Sequence, residues 1–282
     1  MNCFKEIEVK GLICAALKED VGTIDITTQA LIHGNKKARG VFLAKETCVV
    51  CGLGVVALVF KHLDKNIKFK PLLKDGDTAK KGKIIATVSG KAKSILTAER
   101  VALNFLSLLS GISTKAKNYV LAVKPYKAKI IDTRKTIPGL RLLEKYAVRL
   151  GGAFNHRMCL DEMFLIKDNH LQVIGGIEKV PELSKKFRVE IEVKNLKELE
   201  LALKLKPDII MLDNMPVKIL RKAVRLRNKF SALFANPLPK LEASGGVTLK
   251  NVKSIASTGI DMISIGELTH SVRSADISLE IL

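Results

Sequence analysis

Short apolar runs alternate with amphipathic stretches along the whole chain, and the rhythm of that alternation changes near residue 130. Before that point the runs are brief and unevenly spaced. Residues 12–17 have helical spacing, and Glu19-Asp20-Val21-Gly22 ends that helix. Residues 39–44 and 47–51 read as paired strands, with Gly52 closing the second. Residues 53–63 then read as a helix and 67–73 as a strand. Asp75-Gly76 and Lys81-Gly82 are turn signals flanking short strands that finish at residues 84–88. Thr97 is placed to cap a helix opening Ala98-Glu99-Arg100, with Leu103, Leu106 and Leu109 as its core stripe. Gly111 interrupts, and a second helix covers residues 113–123. Together these elements predict a compact α+β sandwich domain.

From Ile130 onward strands and helices alternate regularly. Strand-like runs end near Asp132, Lys167, Val193, Leu212, Ala243 and Ile265, separated by helical segments such as 195–205, 217–227 and 249–257. Pro138-Gly139 opens the first helix, and Gly151-Gly152 stops it. Repeated strand-helix units of this size predict a parallel α/β barrel, and their number falls short of the eight of a full one. The fold class is therefore α/β: an incomplete parallel barrel over residues 111–270 behind an N-terminal domain over residues 1–110. The tail 271–282 is free to pack on the first domain. Pro237 and Pro239 lie in a long connection whose conformation the pattern leaves open.

The net charge of +20 over 282 residues directs attention to anionic partners. Lysine is scattered along the chain, Trp is absent and 5% of residues are aromatic, so no basic run is interleaved with stacking rings. Nucleic acid is not the expected partner. The longest apolar run, residues 49–60, contains two glycines and is too short to span a bilayer, so no membrane association is expected. Five irregularly spaced cysteines and an N-terminus without a leader-like apolar core suggest a reduced, cytoplasmic setting. Cys48-Val49-Val50-Cys51 offers only two metal ligands and reads as small apolar strand residues. Gly52-Leu53-Gly54-Val55-Val56-Ala57, with Asp75 beyond it, imitates a dinucleotide fingerprint, but its preceding strand reads as half of a hairpin.

The stretch Asp132–His170 concentrates the candidate chemistry. Arg134, Lys135, His156, Arg157 and Lys167 each stand beside a turn or strand end, so cations from separate elements converge. Later strand ends bring Glu192, Asp213, Ser244-Gly245-Gly246 and Gly266 to what would be the C-terminal face of a parallel barrel. Glu192 and Asp213 are hard oxygen donors suited to magnesium or sugar hydroxyls. Glu190 shares the strand face of Glu192, and the pattern cannot choose between them. The glycines before Thr248 offer backbone N–H groups to a phosphate. Lys167 alone would also suit an aldolase-type Schiff base. The paired carboxylates and neighbouring arginines fit a dianionic substrate better.

The phrases DTRKTIPGLR, NHR, LIKDNH, EIEV, MLDN, EASGG and GELTHS resemble the quinolinate phosphoribosyltransferase family, also called nicotinate-nucleotide pyrophosphorylases. The resemblance covers nearly the whole chain. It implies transfer of phosphoribosyl from phosphoribosyl diphosphate to quinolinate with decarboxylation, giving nicotinate mononucleotide, diphosphate and carbon dioxide for NAD biosynthesis. It implies Mg2+ as cofactor, held directly or indirectly by Glu192 and Asp213. Arg100, Arg134 and Arg157 would grip the substrate carboxylates, with Lys135, His156 and Lys167 completing a cationic pocket. Lys135, Lys167, Glu192 and Asp213 form the implied catalytic set, and Ser244, Gly245, Gly246, Gly266 and His270 join the substrate-binding set. The family also implies a homodimer, or a hexamer built from it, in which Arg100 reaches the neighbouring chain's substrate. A related molybdenum-transport-associated group shares much of the signature, but the intact lysine of LIKDNH favours the quinolinate enzyme. A basic RNA-binding protein is the alternative from another class. Cys159 and Glu267 stand where smaller residues are expected, and Glu267 could weaken anion binding or simply point outward.

Overall fold

Two units interleave along the chain. The described residues up to Lys117, with Ile137–Gly152 and Thr269–Leu282, form the first; Asn118–Thr136 and Ala153–Leu268 form the second. The structure, a computed structural model, describes residues 6–183, 186–230 and 238–282, so Pro237 in the long connection lies outside the described residues. The contiguous division at residue 110 gives way to this interleaving for a physical reason. The segment after Pro138 and the C-terminal tail both bury themselves in the first unit. Ser113 Oγ donates to Ala147 O at 2.8 Å, and a Cβ on Gly151 would come within 2.5 Å of Ala116 Cβ.

The first unit begins with α1 (Glu6–Val21), α2 (Ile26–Leu31), β1 (Lys37–Ala44), β2 (Cys48–Val49) and α3 (Leu53–Leu63). After them come β3 (Lys68–Pro71), β4 (Thr78–Ala79), β5 (Ile84–Lys91) and the long α4 (Ala92–Val123). The predicted hairpin of β1 with β2 does not form: β1 lies between β5 and the C-terminal strand, and β2 pairs with β4. The connection after β1 is taken up by the tail instead. Lys45 N–H donates to Asp276 O at 2.9 Å, and Glu46 accepts the Asp276 N–H at 3.0 Å. Cys48 and Cys51 are buried and free, and burial pushes the Cys48 thiol up to about 11.

The apparent dinucleotide fingerprint is explained by a carboxylate. Asp75 Oδ1 accepts the N–H groups of Gly52 and Leu53, both at 3.0 Å, while its Oδ2 accepts the Tyr146 hydroxyl at 2.8 Å. The N-terminus of α3, where a pyrophosphate would sit, is filled from within the chain.

The predicted break at Gly111 is absent, since α4 runs through it for 32 residues. Nor does Thr97 cap a helix; its hydroxyl donates to Asp25 Oδ2 at 3.0 Å from within α4. Long and apolar enough to cross a membrane, α4 is a core helix, with 61% of its most apolar stretch buried. Gly111 is there to let backbone cross backbone. A Cβ at that position would lie 2.3 Å from Arg273 O, where the tail passes and Ala275 N–H donates to Ser107 O at 2.9 Å.

The second unit is built on a parallel sheet. Along the chain come β6 (Lys129–Ile131), α5 (Arg141–Leu150, in the first unit), β7 (Phe164–Ile166), α6 (Asp168–Ile174), β8 (Val189–Val193) and α7 (Leu196–Lys204). Then follow β9 (Ile209–Asp213), α8 (Val217–Lys229), β10 (Lys240–Ser244), α9 (Val252–Ala256), β11 (Met262–Ser264), α10 (Glu267–His270) and β12 (Ile277–Ile281), the tail strand of the first unit. Six strands hydrogen-bond in the order β6-β11-β10-β9-β8-β7. From β7 to β11 each pairs with its neighbour in sequence, and the last returns to β6, which is a barrel's order. Among the described residues β6 and β7 do not pair, so the barrel is open at one seam. Phe154 makes a single parallel bridge to Ile131 along that seam.

Helix propensity alone favours Ala over an interior Gly by about 1 kcal/mol. At Gly111 the clash should win, because overpacking against backbone costs about 1–3 kcal/mol. Gly111→Ala is expected to lower the calorimetric melting temperature; an unchanged or higher value would remove the close-approach explanation.

Candidate active site

The strand ends of the second unit are tied together by buried charge. Asp132, directly after β6, is fully buried; its Oδ1 accepts the His156 N–H at 2.8 Å and its Oδ2 accepts Asn155 Nδ2 at 2.5 Å. This carboxylate brings the seam segment 153–157 against β6. On the other side of Asp132, Lys135 N–H donates to Thr133 Oγ1 and Thr136 N–H to Arg134 O, each at 3.0 Å, which folds the Arg134-Lys135 turn tightly. Lys135 itself is exposed.

Arg134 and Arg157 are brought close enough to repel. Burial and then the Arg134 charge lower the Arg157 pKa, while Glu190 and Glu162 pull it back. Arg157 is 7% exposed and its Nη1 donates to Met163 O at 3.0 Å. The Nε atoms of both arginines are buried with no hydrogen-bond partner among the described residues. Two cations close enough to repel, each with a buried Nε–H unused, are prepared for an anion.

Inside the barrel His156 Nε2 lies 2.9 Å from Glu190 Oε2 and 3.9 Å from Glu242 Oε2. These three side chains bring their nitrogen and oxygen atoms within 4.8 Å of one another, a grouping that resembles a metal site. The tautomer argues otherwise. His156 Nδ1 accepts the Arg157 N–H at 2.7 Å, so in the neutral ring Nε2 carries the proton and has no lone pair for a metal. Glu242, wholly buried, has its pKa pushed well up, chiefly by desolvation and then by Glu190. An open cavity of about 330 Å³ reaches His156, Arg157 and Glu242 from Arg188, Ile209 and Met262 at the strand starts.

A second cluster occupies the strand ends. Lys167 Nζ lies 4.0 Å from Glu192 Oε2, and the Glu192 pKa is raised by burial and then by Asp213, with Lys167 acting against them. Asp168 accepts Lys194 Nζ at 2.8 Å, which extends the alternation of charge. The His of LIKDNH works locally, since His170 Nδ1 accepts the Lys167 N–H at 2.9 Å at the start of α6. Asn214 adopts φ 52°, its N–H donates to Ser244 O at 2.8 Å and its Nδ2 to Asp213 Oδ2 at 2.9 Å. Asp213 and the Ser244-Gly245-Gly246 turn are thereby held side by side.

The predicted residues thus gather into an arginine-histidine group and a lysine-carboxylate group, with Gly266 following β11. Arg100 is exposed on α4, and His270 Nδ1 lies 2.7 Å from Ser271 Oγ, both within the first unit. Glu267 does not point outward. It accepts the hydroxyl of fully buried Tyr119, whose pKa is raised by burial and by that carboxylate. Sequence reasoning left Glu190 undecided and passed over Asp132, Asn214 and Glu242. The available signal was a carboxylate in the middle of an otherwise apolar strand, in Val189–Val193 and Lys240–Ser244.

Gly245 and Gly246 both have positive φ, but a Cβ on Gly245 would fall 2.2 Å from Asn214 Oδ1, whereas Gly246 faces open space. Gly246→Ala should cost roughly 1–2 kcal/mol from backbone strain alone, and Gly245→Ala distinctly more. Equal losses in urea denaturation would show that the contact with Asn214 does not matter.

The family description "Quinolinate phosphoribosyl transferase, N-terminal domain" matches residues 25–110, and its C-terminal counterpart matches residues 112–280. A protein of Synechocystis sp. named probable nicotinate-nucleotide pyrophosphorylase [carboxylating] is 43% identical over 272 residues, covering 94% of this chain and 90% of that protein. The nicotinate-nucleotide pyrophosphorylase [carboxylating] of Mycobacterium leprae is 40% identical over 279 residues, covering 96% of each. The solved structure of the nicotinate-nucleotide pyrophosphorylase from Francisella tularensis superposes with a TM-score of 0.91 at 37% identity, covering 100% of this chain and 98% of that one. With both domains matched and the relatives aligned nearly end to end, this chain belongs to the quinolinate phosphoribosyltransferase family.

Proposed function

We propose that this chain transfers the phosphoribosyl group of phosphoribosyl diphosphate to quinolinate with decarboxylation, giving nicotinate mononucleotide, diphosphate and carbon dioxide. The observation that carries this reading is the pair Arg134 and Arg157, close enough to repel and each with a buried Nε–H that lacks a partner among the described residues. A substrate with two carboxylates on one flat ring would satisfy both donors and relieve the repulsion between them.

The chain contributes positioning and charge stabilisation, and no covalent nucleophile is required. The arginines orient the ring so that its nitrogen faces the anomeric carbon of the sugar. Lys167 stands at the strand ends where negative charge leaves with diphosphate. Ser244, Gly245 and Gly246 offer a turn for the sugar's terminal phosphate. Glu192 and Asp213 fit magnesium: they are hard oxygen donors on adjacent strands, close enough that Asp213 raises the Glu192 pKa. Magnesium bound there would neutralise the departing diphosphate.

The test incubates the protein with phosphoribosyl diphosphate and either quinolinate or nicotinate, with and without magnesium. Nicotinate mononucleotide should form from quinolinate in the presence of magnesium. With nicotinate a buried cation is left unpaired, a penalty on the order of 3 kcal/mol, and turnover should be correspondingly poor. Equal use of both acids would defeat the assignment.

The same reading makes the protein a homodimer in which exposed Arg100 serves the neighbouring chain's substrate. Arg100→Ala and Lys167→Ala should each be inactive alone. After subunit exchange, verified with differently tagged chains, a mixed dimer would gather both lesions into one site and leave the other whole. Activity should reappear, and its failure to do so would place Arg100 in its own chain's site.

A further inference from the structure

We propose that Lys194 is a second cation for the diphosphate group, one that exchanges its partner Asp168 for the ligand when phosphoribosyl diphosphate arrives. The proposal rests on the substrate reading above and adds a residue to the leaving-group side of that site.

Lys194 directly follows β8, and its backbone is fixed there. Its N–H donates to Glu198 Oε2 at 2.8 Å, and the Glu198 N–H donates in turn to Asn195 Oδ1 at 3.0 Å, at the start of α7. Its side chain is held far less firmly. Nζ donates to Asp168 Oδ2 at 2.8 Å, and the two side chains are 53% and 42% exposed. Lys194 also borders an open cavity of about 440 Å³ together with Lys197, Asn214 and Met215. The ammonium therefore has space to change partner without displacing packed atoms.

The charges around it favour the exchange. Lys194 and Lys167 both attract Asp168, and both attract Glu192, which Asp213 repels. Two lysines among three carboxylates leave one negative charge in excess, so a diphosphate gains most from a cation that can turn toward it. An exposed Lys–Asp pair is weakly held, because water screens it. A diphosphate offers the lysine several charged oxygens, where Asp168 offers one carboxylate. Nor is Asp168 stranded by the loss, since its Oδ1 accepts the Asn169 N–H at 2.7 Å and its exposed side is open to water. Lys167 stands 4.0 Å from Glu192, a carboxylate only 9% exposed, so Lys194 is the easier of the two to move.

A bridge that only tied the end of β8 to the start of α6 would make its two ends equivalent. Exchange makes them opposite. Removing the lysine removes a contact with the ligand, whereas removing the aspartate charge frees the lysine to make it.

Inorganic diphosphate is to be titrated calorimetrically, with magnesium present, into the wild type, Lys194→Ala, Lys194→Arg and Asp168→Asn. The KM of each substrate and the thermal midpoint are measured alongside. Lys194→Ala should weaken diphosphate binding and raise the phosphoribosyl diphosphate KM by about threefold to tenfold, the scale of one exposed charged contact. Asp168→Asn should leave both values unchanged or improve them, and Lys194→Arg, which keeps the charge, should stay within about twofold of the wild type. The quinolinate KM should stay within about twofold throughout. A loss below about threefold in Lys194→Ala overturns the proposal, as does one above about twofold in Asp168→Asn, which is what a purely structural bridge would give. Losses that follow the thermal midpoint, or an arginine variant as poor as the alanine one, overturn it too. A wild type that binds diphosphate but does not use quinolinate would refute the substrate reading itself, and the order of the variants in diphosphate binding would still decide the role of Lys194.

Discussion

The buried carboxylate of Asp132 is the constraint on which the site depends. A six-stranded parallel barrel leaves a seam, and here it lies between β6 and β7. One bridge from Phe154 to Ile131 is too little to close it. Asp132 supplies the rest, because a carboxylate removed from water must find donors, and His156 N–H and Asn155 Nδ2 are among those it takes. Satisfying that charge brings segment 153–157 to the barrel wall. His156 then turns inward to Glu190, and Arg157 lies beside Arg134. The distances among the cations follow from how one anion was buried.

Charge in the second unit is sorted by depth. At the strand ends, Lys167 and Lys194 stand among the carboxylates of Glu192, Asp168 and Asp213, and both lysines and Asp168 are well exposed. Deeper, Glu190 and Glu242 are wholly buried beside one imidazole, and water cannot weaken their repulsion. The outer group can exchange partners with a phosphorylated ligand at lower cost, since its charges, Glu192 apart, are partly or well solvated. The inner group has no solvent at hand, and burial raises the Glu242 pKa. That difference suits the outer group to loading and release, and the inner one to holding geometry.

Much of this architecture was legible in the chain. Strand-like runs ending near Val193, Leu212 and Ala243 gave the parallel strands, because β8 to β10 are covered on both faces. Residues at strand ends were readable because alternating units put all those ends on one face. The failures were non-local. Nothing near β1 shows that its partner is a strand more than 230 residues away, nor that Lys45 and Glu46 will bond Asp276 rather than close a hairpin. Gly111 read as a helix break because propensity is local, whereas the need for glycine comes from the tail that crosses it. The inner carboxylates were hidden for the same reason. Glu242 opens the EASGG phrase, but its meaning arises only when β8 and β10 curve toward His156.

Glu267 shows how a carboxylate can be accommodated without an open charge near a proposed anion site. A carboxylate there would ordinarily repel phosphate. In this chain Tyr119 rises from the end of α4, fully buried, and donates its hydroxyl to Glu267. The phenol holds its proton more firmly for that contact, so it remains the donor. The carboxylate's direction is fixed by a residue with no room to move, and its lone pairs are partly spent inside the fold. What decides whether an extra charge disturbs a site is the partner that orients it, and here that partner belongs to the same unit.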